Sequence, residues 1–316
     1  MDPCHTVPLS QDEAVQGTND DAAISRASAV TAGYMEDPYA KVFVKRPPRK
    51  PPLINRGTYT RTLVLDQLMD AFVARFHAEA PATPVQIVSL GAGSDTRFFR
   101  RAATWPQPFL YYEIDFPQIT GRKGQTVARN RATAAHLPDY HVECGGLDLH
   151  TETYHLVSGD LRQWAAEIVP KLVAHGFDPA RPTVYLSECV LVYMDAADAN
   201  AILDWVTANA GTRAAFVVYE QIRPHDAFGQ QMLANLQQRH LALPGLLGCD
   251  DLAAQQARFA ERGWATVEAL DMRQAWERLV PAEEKARVAK LEIFDEVEEW
   301  HLLMEHYAIV HAEYQR

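Results

Sequence analysis

Five short apolar runs, each bounded by Gly, Pro, Asp or Glu and separated by longer stretches, constrain this chain more than any other feature. The runs lie at 85–90, 109–114, 154–158, 183–187 and 214–219, with helical patterns near 95–103, 117–131, 162–174 and 195–210 between them. Runs of five or six residues read as strands, and strands that alternate with helices bury both of their faces in a parallel sheet covered by helices. The expected fold class is therefore α/β, a doubly wound, mostly parallel sheet. Beyond Glu220 the chain is mainly helical over 225–262, strand-like over 264–270, helical over 272–303 and extended again over 306–314. An antiparallel final strand should then close the sheet.

The first 80 residues have a different character. Residues 1–17 are polar and broken by proline, and read as a flexible tail. From Asp20, acids in the first turn and apolar residues at helical spacing predict a short helix ending near Gly33. Between 41 and 52, Lys41, Lys45, Arg46, Arg49 and Lys50 crowd around four prolines, which reads as an extended basic connector. Thr58 can cap a long helix whose face carries Leu65, Leu68, Met69, Phe72, Val73 and Phe76. The division expected is a tail at 1–17, a helical cap or lid at 18–80, and a catalytic domain at 81–316 with a helical insertion around 225–262.

Composition narrows the partners. Lys plus Arg number 30 against 41 Asp plus Glu, a formal net charge of -11, which argues against nucleic acid. The apolar stretch 182–194 is interrupted by Glu188 and falls far short of the roughly 20 residues that span a bilayer. MDPCHTVPLS has no basic flank followed by an apolar run, so no secretory signal is expected. Cys4, Cys144, Cys189 and Cys249 are scattered without a CxxC pair, so neither disulfides nor a metal is expected and the cytoplasm is the expected location. His301, His306 and His311 recur every five residues, do not converge on a metal, and read as surface or half-buried. Cys189 reads as a small buried core residue, and Ser187 lacks the G-x-S-x-G elbow of a hydrolase.

Open α/β sheets bind ligands at the carboxyl ends of their strands. Those ends carry Gly91-Ala92-Gly93-Ser94-Asp95-Thr96, then Asp115 twenty-two residues beyond Gly93, then Asp160-Leu161, then Glu188. Taken alone, G-x-G is also an ordinary tight turn and the acids are ordinary caps. Four strand ends in this order favour a nucleoside, with Asp115 placed for ribose hydroxyls. A dinucleotide would want Gly or Ala at position 96, and Asp95 would repel a diphosphate. S-adenosylmethionine, a nucleoside without phosphates and with positive groups, fits better.

In these residues the sequence resembles the leucine carboxyl methyltransferases. The resemblance is carried by Ile54-Asn55-Arg56-Gly57 with Tyr59 and Arg61, by Val88 through Gly93 with Asp95-Thr96, and by Tyr112-Glu113-Ile114-Asp115-Phe116-Pro117. It continues in Gly159-Asp160-Leu161-Arg162, Glu188 through Met194, Tyr219-Glu220-Gln221 and Phe228-Gly229-Gln230, from about residue 18 to the end. It implies a class I S-adenosylmethionine-dependent methyltransferase with a helical N-terminal cap. It implies that Arg61 holds the cofactor carboxylate, Gly91 and Gly93 lie against its methionine part, and Asp115 takes the ribose. Asp160 and Leu161 would surround the adenine, Glu188 would approach the ammonium, and Arg26, where the family more often has Lys, would be a further contact. Tyr193, Glu220 and Gln221 would face the substrate carboxylate or its neighbours and complete the catalytic set with Arg61, although Tyr193 also suits an ordinary strand-end aromatic.

The reaction implied is methyl esterification of the C-terminal leucine carboxylate of the protein phosphatase 2A catalytic subunit, performed by a monomer. An α-carboxyl has a pKa near 3.5 and needs no base, so catalysis should rest on positioning and on a dry pocket. The basic connector could hold an acidic C-terminal tail. The alternatives are carboxyl methylation in the tRNA wybutosine branch, a small-molecule O-methyltransferase, and a non-catalytic phosphatase-binding protein. The acidic balance and the lack of an added C-terminal domain weigh against the tRNA branch.

Overall fold

The computed structural model describes residues 9–102, 104–105 and 108–316. Ser10 opens the first helix, α1 (Gln11–Thr31): its hydroxyl accepts the Glu13 N–H while the Glu13 carboxylate accepts the Ser10 N–H. This capping box makes 11–17 helical rather than part of a tail, and the remaining tail residues 1–8 lie outside the described residues. The helix ends at Gly33, whose φ of +85° suits a residue without Cβ.

A short α2 (Ala40–Phe43) occupies the head of the basic connector, which is extended only after it. The long helix α3 (Pro52–Glu79) starts six residues before Thr58, because a proline in the first turn lacks only an N–H that the helix does not use. Thr58 is buried inside that helix instead of capping it.

There follow β1 (Val85–Leu90), α4 (Arg97–Ala102), β2 (Phe109–Asp115), α5 (Pro117–Arg129) and α6 (Arg131–Ala134). Next come two three-residue strands, β3 (His141–Glu143) and β4 (Asp148–His150), then β5 (Tyr154–Ser158), α7 (Val169–Ala174) and β6 (Thr183–Glu188). After α8 (Ala196–Asn209) and β7 (Arg213–Gln221), the helical insertion is α9 (Ala227–Gln237) and α10 (Leu252–Ala260) around an irregular segment. The chain finishes with β8 (Thr266–Asp271), α11 (Met272–Leu279), α12 (Ala282–Val288), α13 (Val297–Glu305) and β9 (Tyr307–Gln315).

Among the described residues nine strands form one sheet in the order β3-β4-β5-β2-β1-β6-β7-β9-β8. The five central strands are parallel, and antiparallel strands flank them at both edges, with β9 inserted between β7 and β8. Strand alternation divides the core: Val85, Ile87, Ala215 and Val217 pack with Phe72, Phe76 and Phe98 on one face. Val88, Leu90, Phe216 and Val218 pack with Ile202, Leu203 and Trp264 on the other. The sheet changes winding direction between β1 and β6, and the pairs Leu90↔Ile114, Asp115↔Ser158 and Glu188↔Tyr219 bring the carboxyl ends of the strands level there. Among the described residues no helix is long and apolar enough to cross a membrane.

Candidate active site

A cavity of about 420 Å³ lies at these carboxyl ends, within the size range of small-molecule sites. Its floor is the turn after β1, where Gly91 and Gly93 have φ of +57° and +48°. A Cβ on Gly91 would lie 2.6 Å from Val190 Cγ2, and one on Gly93 would lie 2.6 Å from Asn19 Oδ1. The roof is α1, which supplies Asp12, Asn19 and Arg26, and Asn19 Oδ1 accepts the Ser94 N–H at 2.6 Å.

At the mouth, the Asp160 carboxylate accepts from Arg162, whose guanidinium also reaches Asp12 on α1 at 2.8 Å. Two further exposed ion pairs, Asp20–Arg122 and Asp21–Arg239, fasten α1 across the cavity. At the end of β2, Asp115 Oδ2 accepts the Gly93 N–H and Oδ1 the Phe116 N–H, each at 2.7 Å. Burial pushes this carboxyl upward while those two donors pull it down. Asp115 lines the cavity, and each of its oxygens has acceptor capacity beyond the one backbone N–H it takes.

Beneath the floor lies a buried charge network. Arg97, 1% exposed as a side chain, bonds Asp66 through Nε at 2.7 Å and Asp95 and Glu188 through Nη1 at 2.7 and 2.8 Å. Burial alone would raise the Glu188 carboxyl, but Arg97 and Arg61 outweigh it and hold it ionised. Arg61 Nε lies 2.8 Å from Glu188 Oε1 without the alignment of a hydrogen bond, and the Arg61 guanidinium sits 5.3 Å from the centroid of the Tyr219 ring. Tyr219 in turn stacks on Tyr307 at 5.1 Å. Arg61 is thus oriented by a carboxylate and an aromatic face, and keeps donors for an anionic ligand. Arg26 is buried beside Asp37 and Asp95, at 3.6 and 3.9 Å, with Nη1 lacking a hydrogen bond.

Arg26, Arg61, Gly91, Gly93, Asp115, Asp160, Leu161, Glu188, Tyr193 and Gln221 all line this one cavity. Glu220 does not. Alternation along β7 turns Tyr219 and Gln221 toward the cavity and Glu220 away, where its Oε1 accepts the N–H groups of Val190 and Val192 at 3.3 and 3.0 Å. Its place is to hold the loop after β6. Cys189 is half-buried: it packs against the core and also lines the cavity, with φ of +55°. His306 is fully buried rather than at the surface, bonded to Asp226 at 2.8 Å and to the Leu302 carbonyl.

Sequence reasoning missed Asn19, Arg97 and Tyr307. For Arg97 the signal was a cation placed directly after Asp95-Thr96, and the other two carry no local signal. A second wall of the cavity is apolar, formed by Leu236, Leu241, Leu303 and Met304.

The donor set fits S-adenosylmethionine: paired acceptors at the ribose end, an under-occupied guanidinium for a carboxylate, and buried carboxylates for cationic groups. The Arg61 guanidinium bordering the cavity, with its Nε already facing Glu188, and the buried Arg26 Nη1 without a hydrogen-bond partner are the cationic groups that ask for such a ligand.

A sequence model of the family "Leucine carboxyl methyltransferase" matches residues 14–207. Leucine carboxyl methyltransferase 1 of Aspergillus fumigatus is 41% identical, over 95% of this chain and 82% of its own length. The Arabidopsis thaliana homolog of that enzyme is 38% identical, over 95% and 89%. The human tRNA wybutosine-synthesizing protein 4 is also 38% identical over 95% of this chain, which spans 44% of that longer protein. A Thermobifida fusca structure of the methyltransferase class shares the fold, with a TM-score of 0.52, 11% identity and 94% of each chain covered.

Proposed function

Because the chain belongs to the leucine carboxyl methyltransferase family, we propose that it methylates the α-carboxylate of the C-terminal leucine of the protein phosphatase 2A catalytic subunit. S-adenosylmethionine is the methyl donor, and the products are a methyl ester and S-adenosylhomocysteine. The observation that carries the reading is the convergence of Arg61, Gly91, Asp115, Asp160, Leu161 and Glu188 on one cavity.

Bound there, the cofactor supplies a methyl group on a sulfonium. Arg61 clamps the cofactor carboxylate, with Glu188 and the Tyr219 ring fixing the angle of its guanidinium. Asp115 accepts from the ribose hydroxyls, and Asp160 and Leu161 border the adenine. Asp95 and Glu188, both kept ionised, place negative charge near the ammonium. No residue has to remove a proton, since the attacking carboxylate is already ionised at neutral pH.

The apolar wall of Leu236, Leu241, Leu303 and Met304 suits a leucine side chain and excludes water from the nucleophile. Tyr193 and Gln221, the latter with a buried and unpaired Oε1, border the same space. Glu220 acts on substrate only through the loop it holds.

The test is incubation with methyl-labelled S-adenosylmethionine and three acceptors: intact phosphatase catalytic subunit, the subunit lacking its final leucine, and tRNA carrying the unesterified wybutosine precursor. Alkali-labile label on the intact subunit alone is expected. Label on the tRNA instead would transfer the assignment to the wybutosine branch, where the likeness to the human wybutosine protein already points.

A further inference from the structure

A second constellation lies outside the cavity. The register of the sheet edge places His141 opposite His150 and His150 opposite His155, a histidine row across β3, β4 and β5. His175, in the turn after α7, covers the row with its ring stacked on His150 at 3.5 Å between centroids. The Tyr112 hydroxyl fixes this turn by donating to the His175 carbonyl at 3.1 Å. His150 and His155 are 1% and 5% exposed, and their Nδ1 atoms approach to 3.3 Å. Their Nε2 atoms are buried with no hydrogen-bond partner.

The paired Nδ1 atoms, rather than the Nε2 atoms, are the ones placed to share an ion, each ring then carrying its proton on Nε2. Two imidazoles on one tetrahedral zinc, at Zn–N of about 2.0–2.1 Å, place their nitrogens about 3.3 Å apart, which is the spacing found. His150, His155 and His175 each offer one ring nitrogen within a sphere where all three lie within 4.8 Å of one another.

We propose that His150, His155 and His175 bind one divalent transition-metal ion, which pins the β3–β4 hairpin to β5 and to the turn after α7. Parallel rings cannot both aim in-plane lone pairs at one atom, so metal binding requires His175, at the rim, to rotate out of its stack on His150. Glu143, 3.5 Å from His175 Nε2 and 3.4 Å from His141 Nε2, orients the third ligand as carboxylates commonly do around metal-bound histidine. Three imidazoles select zinc, cobalt, nickel or copper over magnesium or calcium, which take oxygen ligands.

The test uses the full, untagged chain stripped with a chelator and titrated with ZnCl₂ by calorimetry and with CoCl₂ by visible spectroscopy. One equivalent is expected, with the intense d–d bands of four-coordinate cobalt and a raised Tm on zinc binding. Because His175 is at the rim, His175→Gln should leave the stripped protein's Tm unchanged and weaken zinc binding at least about tenfold. His225→Gln, on the exposed segment before α9, should change neither. Absence of a stoichiometric zinc site in the stripped wild type, or unchanged affinity in His175→Gln, would overturn the assignment.

Discussion

Arg61 is held by one carboxylate and one aromatic ring, and those two contacts make demands that lysine cannot meet. Arg61→Ala should lower kcat/KM by at least about 100-fold while circular dichroism stays near wild type, with a lower Tm because Glu188 loses one of its two cationic partners. Arg61→Lys should restore little, because an ammonium offers neither a bidentate fork nor a flat face to Tyr219. Wild-type kinetics in either variant would remove Arg61 from the cofactor carboxylate. Glu220 belongs to a different class of effect. Glu220→Ala leaves the N–H groups of Val190 and Val192 unmet and should cost about 1–3 kcal/mol in denaturant unfolding, with only an indirect effect on affinity. Glu220 and Gln221 both follow the strand run at 214–219 in the sequence, which is why they looked alike. Parity separates them: the cavity takes Tyr219 and Gln221, so Glu220 must point away, a distinction that needs the sheet's orientation as well as its order.

At the level of elements, the parallel strands were legible because each is a short apolar run between breakers. The three-residue β3 and β4 were not, since a strand that short has no period to read. The start of α1 was legible in principle, as Ser10 and Glu13 spell a capping box, but the surrounding polar residues masked it. This helix packs small residues such as Ala23 and Ala27 inward and is fastened over the cavity by Asn19 and three exposed ion pairs. Gly93→Ala should therefore act twice. Its Cβ would strike Asn19 Oδ1, and its φ of +48° strains any L side chain by about 1–2 kcal/mol. The double variant Gly93→Ala/Asn19→Ala should recover part of the lost S-adenosylhomocysteine affinity by calorimetry, and a purely additive loss would show that α1 is not pressed against the turn. Salt provides an independent check: exposed pairs are screened, so stopped-flow dissociation of S-adenosylhomocysteine should quicken several-fold between about 0.05 and 0.5 M NaCl.

For the molecule as a whole, acid stability follows from the charge network below the cavity. Burial would raise the Asp66 carboxyl, but Arg97 and Arg100 outweigh it and bring it down to about 2. The folded value lies below the unfolded one near 3.9, so this stabilisation, on the order of 2 kcal/mol, is complete above about pH 5 and is lost as the pH falls toward 2. Asp95 and Glu188 are lowered in the same direction and should fade in the same acid limb. Urea midpoints measured from pH 6 down to pH 2.5 should fall steeply below pH 4, and Asp66→Asn should flatten that limb. The cavity also draws on Asp12 in the first helix and Tyr307 at the start of the last strand, and β9 is threaded between two strands made before it. The Tyr307 platform exists only once β9 has inserted between β7 and β8, so methyl-donor affinity doubles as a reporter of sheet closure.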